Sequence, residues 1–140
     1  MHRRVILGVL AIGLCAILTH ASPAAGQTPA QRTGEATDKI KSYTVEKKND
    51  AVAYAKKLVS DLDAKIKELE AQVARDTSAA KADGERQLKE LKALRANAAR
   101  KLDELGRASG ESWDRVKHGF ADAYKDLAQA FDKAAASFRK

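Results

Sequence analysis

The chain has 140 residues, 44% of them apolar but only 5% aromatic, so it can build one domain at most, around a thin, alanine-weighted core. Its 26 Lys+Arg exceed its 19 Asp+Glu, giving a net charge of +7 that is spread along the sequence and not gathered in one block. This composition argues against a globular enzyme with a deep pocket, and the single cysteine excludes a disulfide framework.

The first 26 residues differ from the rest. A basic start, Met1-His2-Arg3-Arg4, precedes an uncharged apolar run from Val5 to Leu18, and small residues from Ala21 to Gly26 follow. That three-part layout predicts a secretory signal peptide, with cleavage after Ala25 or Gly26. The alternative is an uncleaved anchor in the inner membrane. Against it, a 14-residue apolar helix reaches only about 21 Å, short of a hydrocarbon core of roughly 30 Å. Leu14, not a small residue, precedes Cys15, so lipidation at that cysteine is not expected. The expected product is a cysteine-free chain in the periplasm or outside the cell.

The segment Gln27 to Thr37, QTPAQRTGEAT, contains Pro29 and Gly34 and no apolar periodicity, and reads as a flexible leader (27–37). A helical domain is predicted over 38–140, opening near Thr37 or Asp38. Val45, Val52, Val59, Ile66, Val73 and Ala80 recur every seven residues, with Ala55, Leu62 and Leu69 three residues after the middle members. This 3-4 spacing lays a coiled-coil seam along one helix. The seam fades where Asp76 and Asp83 take core slots and Gly84 follows, so a bend is expected near 76–86, with a continuous helix as the alternative. A second seam runs through Leu88, Leu91, Ala98, Leu102 and Leu105. Gly106 and Ala108-Ser109-Gly110 then mark a second candidate bend, at 106–110.

Five of the seven aromatic residues fall between Ser112 and Phe138. Trp113, Phe120, Leu127 and Ala134 repeat every seven residues, and Tyr124, Phe131 and Phe138 repeat beside them. With Val116 and Ala123 they share one helical face, so they form a stripe. Leaving such a stripe in water is costly, because burying each large side chain gains about 1.5–3 kcal/mol. Three covers are conceivable: the protein's own first helix, another helical protein or a second copy, and a membrane surface. The polar face alternates in sign through Asp114, Arg115, Lys117, Asp122, Lys125 and Asp126, which disfavours an anionic lipid surface.

Catalytic motifs are absent. His118 is the one histidine beyond residue 26, and with Asp114 it reads as a surface pair, not a metal ligand set. GRASGESW is no nucleophile elbow, and no glycine-rich phosphate loop occurs. Arg86, Lys89, Lys92, Arg95, Arg100 and Lys101 lie in the most basic stretch, but Glu90, Asp103 and Glu104 interrupt it, so a solvated face is expected and no nucleic-acid partner. No enzyme activity, cofactor, metal or small-molecule substrate is expected.

The stretch LDELGRASGESWDRVKHGFADAYKDLAQAFDKA, Leu102 to Ala134, resembles small bacterial coiled-coil proteins of the stress-response type. These share a leucine-rich helix, an ASGE-W junction and a following G-x-x-x-A helix. Ser109-Gly110, Trp113, Gly119 and Ala123 carry the resemblance, which extends over about 54 to 138. It implies a helical coiled-coil fold and expression under stress, and it brings no catalytic or ligand residues. Members of that family generally look cytosolic, so the export-type N-terminus is a departure.

The expectation is therefore an all-α protein: an antiparallel helical hairpin or bent coiled coil behind a signal peptide and leader. Its expected role is structural or interaction-based, in the cell envelope. The alternative is a peripheral membrane-binding, apolipoprotein-like helical protein. In either case the stripe Trp113, Val116, Phe120, Tyr124, Leu127, Phe131 and Phe138 is the core or the interaction surface.

Overall fold

A computed structural model of the protein describes residues 28–138, and the predicted signal peptide (1–26) lies outside them. The described residues are all-helical: α1 (Pro29–Ser42), a short 3-10 turn (Val45–Lys47), α2 (Lys48–Arg75), α3 (Ala80–Arg107) and α4 (Trp113–Phe138). No strand occurs among them. None of these helices is long and apolar enough to cross a membrane.

Helix α1 corrects the expected flexible leader. Thr28 and Gln31 form a capping box: the Thr28 hydroxyl accepts from the Gln31 amide at 3.1 Å, and the Gln31 side-chain oxygen accepts from the Thr28 amide at 2.8 Å. Two exposed amides are thereby satisfied at once, and Pro29, in the first turn, forfeits no helical hydrogen bond. The helix ends at Ser42 because Tyr43 and Thr44 are both extended, with ψ of 137° at Tyr43 and 169° at Thr44. The expected single helix from Thr37 onward is therefore two helices, and Val45 of the heptad series lies in the 3-10 turn between them.

The first reversal lies at Asp76–Ala79. Asp76 is extended, and its carboxylate accepts from the Ser78 amide (2.7 Å) and hydroxyl (2.6 Å), while the Ser78 hydroxyl oxygen accepts from the Ala80 amide (3.2 Å). This aspartate turn competes with continued helix. The Ser78 hydroxyl and amide hold the Asp76 carboxyl below the usual carboxylate range. The second reversal spans Ala108–Ser112, where the Ser112 hydroxyl oxygen accepts from the Ser109 amide (3.0 Å). Neither Gly84 nor Gly106 makes a turn; both lie inside α3.

Helices α2 and α3 run antiparallel, because Glu70 meets Lys92 and, earlier on α2, Asp63 meets Arg95 further along α3. The strongest packing is of α4 on α3, then α3 on α2 and α1 on α4, with α1 also touching α2. In space the helices follow the order α2, α3, α4, α1 around a ring. One corner is short: α1 has 14 residues, about 21 Å, whereas α2 has 28, about 42 Å.

Two buried clusters fill the interior. One gathers Ile40, Ala51, Ala55, Leu105, Trp113 and Phe120. The other gathers Leu62, Ile66, Leu69, Leu91, Leu127 and their neighbours. The seam positions of α2 are buried from Ala55 to Val73, except that Val59 is partly exposed, and Val52 nearer its start is partly exposed as well; Ala80, the last member of the series, lies beyond the reversal, exposed at the start of α3. A straight helix drifts away from a strict seven-residue repeat, so the ends of a long seam leave the core first.

Gly84 has a packing reason to be glycine. The ring of Phe138 covers its Cα, so a Cβ there would collide with that ring and approach Val73 Cγ1 to 3.1 Å. At Gly106, by contrast, nothing lies within 4 Å. The same substitution in one helix should therefore have opposite signs. Gly106→Ala should stabilise by about 0.4–1 kcal/mol through helix propensity and reduced unfolded-state freedom. Gly84→Ala should destabilise by displacing Phe138, and should regain the stabilising sign in a Phe138→Ala background. Chemical denaturation of the unsubstituted chain, Gly106→Ala, Gly84→Ala, Phe138→Ala and the Gly84→Ala/Phe138→Ala double variant checks both signs; a stabilising Gly84→Ala in the otherwise unchanged chain would refute the Phe138 contact.

Candidate interaction surface

The aromatic stripe of α4 divides into two rows. Trp113, Phe120, Leu127 and Ala134 are buried, with Phe120 and Leu127 at 0% exposure. Val116, Tyr124, Phe131 and Phe138 are only half-buried. The seven-residue repeat explains the difference: the first row points between the neighbouring helices, and the second lies along one flank. The cover is mostly α3 and α1, and α2 touches α4 far less. Val59 and Ile66 of α2 join the two clusters that the stripe enters.

The α1 side of α4 carries the most specific polar contacts. Trp113 Nε1 donates to the Tyr43 carbonyl at 2.9 Å, and Lys117 Nζ donates to the same oxygen at 3.0 Å. Lys117 is buried and also pairs with exposed Asp114 at 3.3 Å. Sequence reasoning placed Lys117 on the solvated face, because its partner carbonyl lies 74 residues away. A second long-range tie joins Lys48 Nζ to the Ala108 carbonyl at 3.3 Å, fixing the start of α2 against the α3–α4 corner.

Among the described residues, the short corner of the ring beyond the N-terminus of α1 is open. A groove of about 690 Å³ runs there between α2 and α4, with Leu62, Leu69, Tyr124, Phe131 and Phe138 among its apolar walls. Arg32, Lys65 and Arg75 lie along it beside Glu68, Asp76 and Asp132, so the charges of its lining cancel. Tyr124, Phe131 and Phe138 of the half-buried row thus face this groove, whereas Val116 packs beside Trp113 and Phe120. Phe120 and Tyr124 also stack, with centroids 6.4 Å apart.

Elsewhere the basic stretch of α3 is largely engaged. Arg86 pairs with Asp83, Lys92 with Glu70, Arg95 with Asp63 and Lys101 with Glu104, while Arg100 donates to Asn97. His118 is exposed, and its Nδ1 lies 2.7 Å from the backbone carbonyl of Asp114, not from its carboxylate. Among the described residues no group of three His, Cys, Asp or Glu could hold a metal ion. No family model, curated protein or solved structure matches the chain, so the resemblance to stress-response-type proteins rests on the quoted residues alone.

Phe120→Ala removes the largest fully buried side chain and should cost about 3–5 kcal/mol. An unchanged melting curve would show that the stripe is not a core. Burial also raises the Tyr124 hydroxyl above its ordinary value of 10.0, and burial does the same at Tyr54. A raised value means the fold favours the neutral phenol, so this contribution is complete below about pH 10 and is lost as pH rises beyond it. Ultraviolet titration should show a late tyrosine component that Tyr124→Phe diminishes. Loss of a component at the ordinary value, with the late one left intact, would contradict the burial.

Proposed function

We propose that this is an exported, non-enzymatic helical protein with a structural role in the cell envelope, working through coiled-coil-type packing and association with a second copy of itself. The observation that carries the reading is the open groove beside α4. Its walls are the kind of surface that another helix covers: apolar along the floor, with charges of both signs on the rim. Because those charges cancel, two copies can meet face to face across a two-fold axis without net repulsion. The ion pairs along α3 weigh against a phosphate-binding surface. Sign alternation on α4 likewise weighs against lipid. Export rests on the three-part pattern of the first 26 residues, and a stress-related role rests on the resemblance.

Sedimentation equilibrium of residues 27–140 over a wide concentration range tests the association. A mass that climbs with concentration, and falls back in Phe131→Ser, is expected. A constant monomer mass would overturn self-association. Vesicle binding with a gain of helix by residues 27–140 would instead favour the apolipoprotein-like alternative, and overturn this reading as well.

A further inference from the structure

We infer that, in the uncleaved chain, the apolar run of residues 5–18 docks in the groove beside α4 and shields it until residues 1–26 are removed. The docking stands on the groove itself; its consequence, a precursor kept from pairing, rests on the proposed self-association. The first argument is length. Helix α2 has 28 residues, about 42 Å, and α1 covers about 21 Å of the same corner with its 14 residues. About 21 Å of the corner therefore stays open among the described residues, and a helix formed by residues 5–18 would span about 21 Å. The second argument is chemistry. The run is uncharged and mostly Val, Ile and Leu. Leu62, Leu69, Tyr124, Phe131 and Phe138 wall the groove, and because the charges along its lining cancel, it needs no counter-charge from its occupant.

The point at which the described chain starts favours this occupant over any other in the precursor. Thr28 is extended, and Pro29, which follows it, borders the groove, so the upstream chain joins the bundle at one end of that groove. Residues 19–27 link the run to Thr28. Extended, they reach about 30 Å, enough for the run to lie along the open corner in either direction. A segment attached through so short a link competes at an effective concentration in the millimolar range, which a separate copy matches only at millimolar protein. Left in water, the large side chains of the run and those of the groove would each keep apolar surface solvated; meeting one another removes both from water. Cleavage after Ala25 or Gly26 then deletes the occupant and the advantage of attachment in one step. The row of Tyr124, Phe131 and Phe138 is thereby freed for a second copy.

Cys15, the one cysteine of the chain, lies within the run and gives a direct readout. Uncleaved 1–140 is kept reduced, and alkylation of Cys15 by N-ethylmaleimide is followed by mass spectrometry at a concentration where sedimentation shows monomer. The folded chain should react about tenfold or more slowly than the chain in denaturant, and Phe131→Ser should restore most of the rate. An unprotected Cys15 would overturn the docking. So would protection that Phe131→Ser leaves unchanged, because the run would then be buried elsewhere. If Phe131→Ser fails to fold, disulfide trapping with oxidised glutathione decides. Cys15 should crosslink within the chain faster in Gln72→Cys, on the groove wall, than in Ala96→Cys, exposed on α3 away from the groove; equal rates would overturn the docking. Sedimentation tests the consequence: 1–140 should stay monomeric over the range in which 27–140 associates, and an equal climb in mass would overturn the shielding. A monomeric 27–140 would sink self-association alone, since the Cys15 rate still decides the docking by itself.

Discussion

One carbonyl oxygen organises the bundle. The Tyr43 carbonyl closes α1, and the carbonyls at a helix end need donors from outside the helix. Both of its donors come from α4: the indole of Trp113 and the ammonium of Lys117. All three groups would be costly to bury alone, the ammonium most of all. Together they satisfy one another, and Asp114 balances the lysine charge from the solvent side. This contact sets the end of α1, the rotation of α4 about its axis, and therefore which row of the stripe turns inward. Placing Trp113 and Lys117 against Tyr43 directs Phe120 into the first cluster and leaves Tyr124 on the flank.

A thin composition makes such ties matter. Alanine fills many buried positions, including Ala51, Ala55, Ala98, Ala121, Ala123 and Ala134. Each contributes little buried area, so the few large side chains carry most of the hydrophobic stabilisation. They are divided between two clusters, with Tyr124 packed against both. Interhelical ion pairs such as Asp63–Arg95 and Glu70–Lys92 fix the register of α2 on α3, but surface pairs of this kind add only about 0–1 kcal/mol each. Register is thus specified by charge, and stability by a handful of leucines and aromatics.

The three long helices were legible because their signal is periodic and local. Leu62, Ile66, Leu69 and Val73 on α2, Leu88, Leu91, Ala98 and Leu105 on α3, and Trp113, Phe120, Leu127 and Ala134 on α4 are all seam positions, and all are buried. What could not be read depended on partners distant in sequence. The face of α1 is small and half polar, so it gives no apolar period. Its Thr28–Gln31 cap lies in a stretch where Pro29 and Gly34 read as helix breakers. The burial of Lys117 requires a carbonyl from another helix. Gly84 looked like a bend, whereas its lack of a side chain makes room for Phe138 from the far end of the chain. The true reversal uses Asp76, which had already stood out as a carboxylate in a leucine slot.

The vacancy beside α4 is built into the same local chemistry that starts α1. Filling the whole corner of the ring would take a helix about as long as α2, yet α1 begins only halfway along. Thr28 is extended, with ψ of 159°, and its side chain caps the helix that follows. Pro29 has no amide to donate to a preceding turn, and it disfavours helical geometry at Thr28. Among the described residues, the cap that makes α1 a helix therefore also starts it short of Phe131 and Phe138. A longer α1 would have buried that row within the monomer and left the rim charges facing one another across a single chain. Among the described residues, starting the helix at a capping box instead leaves an apolar edge with balanced charges on its border, the surface on which the proposed self-association rests.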